Sequence, residues 1–264
     1  MKKSIAWLAA VAVAAASIAL FYYYLQKVVP VVLSPLSSVV APTPQASAEP
    51  EIHYPVLEHP APKPLPALSD SDAALREALT ESIGGKSLAE IVVFPNLVRR
   101  IVATVDNLPR QKVAVRLRPI TGAPRQFLVS GSAGSFTLAP NNSARYSAHV
   151  GIAEAVATKR LISLYVRFYP LFQQAYQELG YPKGYFNDRL VAVIDDLLAA
   201  PEVQEPLRLT QPKVMYEYAD PELEALSAGQ KILIRMGNTN AARIKAKLRD
   251  IRGELIGLPA KRPN

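Results

Sequence analysis

The sequence predicts a mainly α fold with a small β element (α+β), carried behind a single N-terminal transmembrane helix and a Pro-rich linker. Three observations predict it. Leu161, Leu164, Phe168, Phe172, Ala175 and Leu179 recur at spacings of three and four, an apolar stripe along about five helical turns. Between Lys112 and Leu138 the period falls to two, as a half-buried strand requires. At the start, 21 uncharged residues, Ile5 to Leu25, sit between Lys2, Lys3 and Lys27. The expected organisation is a cytoplasmic tip and anchor over 1–27, an extended linker over 28–68, a globular domain over 69–258 and a basic tail over 259–264.

Composition bounds the chemistry. Half of the 264 residues are apolar, enough for a sizeable core. There is no cysteine, which excludes disulfides, thiolate metal sites and a cysteine nucleophile. The formal charge is +8, and beyond residue 69 the chain holds 26 Lys and Arg against 19 Asp and Glu. Such an excess is either ordinary solubility charge or a match to anionic lipid, cell-wall polymer or nucleic acid.

The anchor is read from length. At ~1.5 Å per residue the apolar run spans roughly 30 Å, the thickness of a bilayer core. Trp7 and Tyr22 to Tyr24 lie near its two ends, where amphipathic rings prefer the interface. A cleaved signal peptide has a shorter apolar region with a small-residue site directly after it, whereas the nearest Ala-x-Ala here is Ala46 to Ala48. Lys2 and Lys3 outweigh Lys27, so the N-terminus stays inside and the remainder is exported. Ten prolines between Val28 and Leu68 then favour an extended, partly polyproline II spacer, in which His53 and His59 are solvated.

The first helix of the domain is capped by Ser69 or Asp70 and carries Leu75, Leu79 and Ile83 before Gly84-Gly85 ends it. Ser87 and Glu90 form a capping box. Pro95 suits the first position of a helix holding Leu97, Ile101, Val102 and Val105, whose Arg99 and Arg100 face solvent or an acidic partner. Val113, Val115 and Leu117 alternate with Ala114, Arg116 and Arg118 as a strand would, and Phe127–Val129 and Phe136–Leu138 flank a Gly-Ser hairpin loop. His149 stands alone, a packed or surface residue and no metal ligand.

In the central helical hairpin Pro170 bends the first helix, and Gly180 with Pro182 ends it. Tyr165, Tyr169, Tyr176, Tyr181 and Tyr185 cluster there, either as aromatic core or as a sugar- or peptide-binding face. Asn187 caps the second helix and Asp188 complements its dipole. Asp188 and Asp195 share a face about 10 Å apart along the axis, near the upper limit for an inverting carboxylate pair. Further on, two extended pieces at Leu207–Leu209 and Val214–Tyr218 precede Asp220-Pro221-Glu222, a helix start with cap, proline and acidic turn in place. Ser227 and Gln230 form another capping box. Asn238 caps a last helix striped by Ile244, Leu248, Ile251 and Leu255. Its other faces carry Arg243, Lys245, Lys247, Arg249 and Arg252 toward solvent or an anionic partner.

Five stretches together resemble one family: Leu164 to Tyr176 running on to Tyr185-Phe-Asn-Asp-Arg189, Ala219 to Glu224, Gly229 to Gly237, Val105 to Pro109, and Arg145-Tyr146. The chain is similar there to the bacterial family named domain of unknown function 3014. The resemblance covers roughly residues 69 to 257. It implies a bacterial protein with one anchor, a proline-rich spacer and no catalytic residue to carry over.

The functional expectation is a membrane-tethered periplasmic binding or scaffolding module of the bacterial inner membrane, without cofactor or metal. Its candidate binding residues are Arg145, Tyr146, Tyr169, Tyr176, Tyr181, Tyr185, Asn187 and Arg189. Beyond the single span in the membrane, the expected partner is an envelope protein, a glycan or anionic lipid, with a homo-oligomer possible and nucleic acid on the wrong side of the bilayer. The alternative is an envelope hydrolase or transferase of cell-wall glycan, with Asp188, Asp195 or Glu222 as acid or base.

Overall fold

The computed structural model describes residues 51–56, 64–83, 91–132 and 134–258. The anchor, most of the spacer including His59, residues 84–90 with the expected capping box, and the basic tail lie outside the described residues. Among the described residues no helix is long and apolar enough to cross a membrane.

Among the described residues the domain has eight α-helices and four short strands. The helices are α1 (Ser71–Ile83), α2 (Leu97–Asn107), α3 (Ser147–Ala155), α4 (Thr158–Glu178), α5 (Phe186–Leu198), α6 (Pro221–Ala225), α7 (Ala228–Arg235) and α8 (Asn238–Ile256). The strands β1 (Val129–Ser130), β2 (Phe136–Leu138), β3 (Arg208–Thr210) and β4 (Glu217–Tyr218) pair antiparallel in chain order. The fold is therefore mainly α with one small sheet.

α4 runs helical through Pro170 and buries Phe168, Tyr169, Leu171, Phe172, Ala175 and Tyr176. It packs on α2 and α8 more than on α5, and α5 does likewise, so the two helices of the hairpin are bridged from both sides. Where they meet, Phe172 stacks on Phe186, ring centroids 5.8 Å apart. A separate apolar cluster of Leu207, Leu209, Tyr218 and Ile234 underlies the sheet. The β1–β2 turn needs its glycine: at Gly131, φ is +94° and a Cβ would lie 2.3 Å from the Ser135 carbonyl oxygen.

Several local expectations change because the partner comes from far along the chain. α2 starts at Leu97, two residues after Pro95, because the Asp72 carboxylate of α1 accepts from the amides of Asn96 and Leu97 at 2.7 and 2.9 Å. Residues 113–117 form no strand. Val115–Leu117 is a 3-10 turn instead, and its neighbours Val92 and Ile120 make a single antiparallel bridge. Asn187 does not cap α5; it lies inside the first turn, fully buried. Asn238 opens α8 and turns its amide to the backbone of Val203. Asp220 caps α6 as expected, accepting from Glu222 N. Ser227 caps α7 through Gln230 N, but the Gln230 side chain reaches the Asp196 carbonyl rather than back to Ser227.

The basic residues of α8 are mostly tied down. Arg243 pairs with Glu154 and Arg252 with Asp195. Lys245 and Lys247 donate to the carbonyls of Ala200 and Val156, just past the C-termini of α5 and α3, where a cation opposes the helix dipole. Arg99 pairs with Glu178 on α4. The Glu154 and Glu178 carboxyls are held below their ordinary range by those arginine hydrogen bonds.

Candidate functional site

The five residues Tyr185 to Arg189 are bonded to three separate parts of the chain. Gly184 precedes them because a Cβ there would meet the Tyr176 ring at 2.7 Å and Tyr181 Cβ at 2.9 Å. Gln173 of α4 then fixes the start of α5. Its Nε2 donates to Gly184 O at 2.7 Å, and its Oε1 accepts from Phe186 N at 2.8 Å and from the Tyr169 hydroxyl at 3.1 Å.

Each following side chain takes its own direction. Phe186 enters the aromatic core. Asn187 accepts from the Tyr165 hydroxyl at 3.0 Å and donates to Tyr54 O at 2.8 Å. Asp188 accepts from the amides of His53 and Tyr54 at 2.9 and 2.8 Å, and the Tyr185 hydroxyl accepts from Val56 N at 2.6 Å. Residues 53–56, counted as spacer on composition, thus lie along the first turn of α5 as a short bound arm, and Val56 is buried in the main core. The hydrogen bonds reach the arm's backbone, which bends at His53 and Tyr54, while the side chains of Tyr54 and Val56 pack into the apolar clusters.

Arg189 points the other way, to α2. It pairs with Asp106 at 3.1 Å and donates to Asp106 O at 2.7 Å, while Arg110 meets the same carboxylate at 2.6 Å. Asp106 is buried, and Arg189 Nε is buried without a hydrogen-bond partner among the described residues. Tyr181 stacks on Tyr176 with centroids 4.6 Å apart and its hydroxyl accepts from Arg110. Burial raises the Tyr165 and Tyr169 hydroxyls far above the ordinary phenol range. Burial also raises Tyr176, which Arg189 opposes and Asp106 reinforces.

Of the expected binding residues, the structure brings Tyr169, Tyr176, Tyr181, Tyr185, Asn187 and Arg189 together around this turn, occupied with one another and with the arm. Arg145 and Tyr146 serve another region. Arg145 donates to the carbonyls of Ala123, Pro124 and Arg125 and to the buried Asn142, and Tyr146 packs by Ala200, Leu233 and Met236. The three candidate carboxylates have separate surroundings. Asp188 holds the arm, Asp195 meets Arg252, and Glu222 is exposed in the first turn of α6.

Sequence reading missed Asp72, Asp106, Gln173, Asp196 and Lys231. Lys231 is buried and paired with Glu224 at 2.7 Å. Burial raises the Glu224 carboxyl, but the Lys231 ammonium and the Tyr218 amide outweigh it and the net shift is downward. Between the α5–β3 connector and the β4–α6 turn lies a depression of about 540 Å³ whose lining includes Pro201, Val203, Pro206, Leu207, Asp220 and Pro221. None of the expected site residues lines it. Among the described residues no group of three His, Asp or Glu could hold a metal ion.

Compared with known families, residues 97–252 match the model described as Protein of unknown function (DUF3014). The chain belongs to that family. No curated protein and no solved structure matches the chain. The DUF3014 match opens at the first residue of α2 and closes within α8, so it spans the hairpin, the sheet and the Asp106–Arg189 pair. It leaves the arm at 53–56 and α1 outside. In this DUF3014 protein, Asp188→Ala removes the acceptor of two arm amides. The expected result is hydrogen exchange at Tyr54 faster by one to two orders of magnitude, with exchange in α4 unchanged, measured site by site by NMR. Unaltered protection at Tyr54 would show that the arm is held by apolar contacts alone.

Proposed function

We propose that this protein is a membrane-tethered binding or scaffolding module of the bacterial inner membrane, with its folded domain in the periplasm. The observation that carries the reading is the arm. Residues 53–56, inside the proline-rich stretch that follows the apolar run, are bonded to the first turn of α5 through their backbone. A tether that joins a domain at a built point positions it, which is what a scaffold requires. The charge flanks of Ile5–Leu25 supply the orientation. The engagement of Asp188 by the arm and of Asp195 by Arg252 favours this reading over a glycan hydrolase built on those carboxylates.

Fusing alkaline phosphatase or green fluorescent protein after Asn264 tests it. An active phosphatase and a dark fluorescent fusion are expected, with the chain retained in the membrane fraction after alkaline carbonate extraction. A bright fluorescent fusion with inactive phosphatase overturns the topology, and release by carbonate overturns the anchor.

A further inference from the structure

From Asn107 to Ala153 the chain carries no Asp or Glu, yet it holds Arg110, Lys112, Arg116, Arg118, Arg125 and Arg145. Arg110 and Arg145 are engaged internally. Among the described residues no ion pair neutralises Lys112, Arg116, Arg118 or Arg125. The same loop exposes three aliphatic side chains, Val115 at 65%, Ile120 at 44% and Leu117 at 37%. No aromatic residue lies between Arg110 and Gln126.

The loop is built, and its backbone shows how. Arg100 Nη1 donates to Arg116 O at 2.6 Å and Arg118 O at 3.3 Å, and Thr104 Oγ1 donates to Leu117 O at 3.2 Å. Val93 N donates to Pro119 O at 2.8 Å, and His149 Nε2 lies 3.1 Å from Thr121 O. Arg145 takes the carbonyls of Ala123, Pro124 and Arg125. Eight of the ten carbonyls from Arg116 to Arg125 are thus held by groups outside the loop. With its carbonyls gathered onto the body of the domain, the loop gives its exposure to side chains, alternately cationic and aliphatic.

We propose that the loop Arg110–Arg125 docks on the headgroup region of an anionic lipid bilayer, with Lys112, Arg116, Arg118 and Arg125 on the phosphates and Val115, Leu117 and Ile120 at the acyl boundary. Cations interleaved with aliphatics match that interface, where both kinds of side chain are stabilised together. A nucleic-acid surface would gain little from exposed aliphatics and would use stacking rings, which the loop lacks. The inference rests on the tethered reading for proximity alone. Residues 26–52 separate the apolar run from the docked arm, and even fully extended they keep the domain within about 100 Å of the bilayer. That raises the effective concentration of the surface.

The absence of cysteine allows a direct test. Val115→Cys in the full chain, labelled with an environment-sensitive dye, is placed in nanodiscs of phosphatidylcholine alone or mixed with phosphatidylglycerol. A blue shift is expected only with phosphatidylglycerol, reversed by added salt. It is also expected to be lost in Lys112→Glu/Arg116→Glu, whose partition to anionic vesicles falls by more than about tenfold. Both reversed residues are exposed and make no side-chain hydrogen bond among the described residues, so thermal unfolding should be unchanged. The same dye at Val214→Cys, 85% exposed in the β3–β4 loop, should not shift. Equal spectra in the two lipids, equal shifts at both sites, persistence in the reversed variant, or a response to DNA or polyglutamate in place of lipid would each overturn the proposal. If the chain fails to stay with phosphatidylcholine discs, the tethered reading fails. The blue shift on adding anionic vesicles to that free chain then decides the loop by itself.

Discussion

Phe186→Ala is expected to lower the free energy of unfolding by about 3–5 kcal/mol. Phe186 is 1% exposed and is touched from several sides at once. It stacks on Phe172, nearly parallel at 5.8 Å, and meets Tyr176 at 5.6 Å and Tyr165 at 6.5 Å at tilted angles. The cost falls at the upper end because the surrounding rings are not free to collapse. Tyr165 is tied to Asn187 by its hydroxyl, Tyr176 is stacked on Tyr181, and the Phe186 backbone is itself pinned by Gln173. A cavity that cannot relax adds its own penalty to the lost transfer energy. Urea unfolding followed by circular dichroism checks this. A loss below about 1 kcal/mol would mean that α4 and α5 close over the gap, and that the aromatic cluster is not the centre of the fold.

The stripe on α4 was legible in sequence because helix periodicity is local. Leu164, Phe168, Phe172 and Ala175 all face the core as their spacing demands. It was legible incompletely. Ile162, Tyr169 and Tyr176 are buried as well, since α4 is flanked by α1, α2 and α8 and needs a wider apolar surface than one stripe. Leu179, the stripe's last member, sits at the helix end and is 42% exposed. The alternation at Val113–Leu117 misled because period two in sequence does not require a buried face: Ala114 to Leu117 are all exposed, and Val115–Leu117 closes as a 3-10 turn with Arg100 and Thr104 holding the carbonyls of Arg116 and Leu117.

Contacts across the chain left no signal in local spacing. Asp72 caps a helix more than 20 residues away, and the arm at 53–56 is fixed by Asp188, 134 and 135 residues later. Composition marked that arm as spacer because two hydrogen-bonding backbone amides look the same in a linker and in a bound segment. The tyrosines were found as a cluster, but not their role. A Tyr-rich turn reads alike whether its hydroxyls serve a ligand or, as at Tyr165 and Tyr185, the protein's own polar groups.

The second large effect belongs to Asp106, which lies in the Val105–Pro109 stretch but to which the sequence assigned no role. Its side chain is 4% exposed and carries two arginines of unequal standing. Arg110 is 55% exposed and can turn to water, so its pair contributes little after solvent screening. Arg189, at 29%, is held between α2 and α5 with Nε already unpartnered, so it depends on this carboxylate. Asp106→Ala should therefore cost about 2–4 kcal/mol, chiefly through an uncompensated charge at Arg189. Arg110→Ala should cost no more than about 1 kcal/mol. The decisive comparison is the double variant Asp106→Ala/Arg189→Met. Removing both charges while keeping an apolar stem in place should recover part of the loss, because the penalty lies in the orphaned guanidinium rather than in a lost attraction. A coupling of about 1–3 kcal/mol in that cycle is expected from chemical denaturation. Additive losses would instead mean that Asp106 acts by packing alone and that α2 and α5 are joined by their apolar faces.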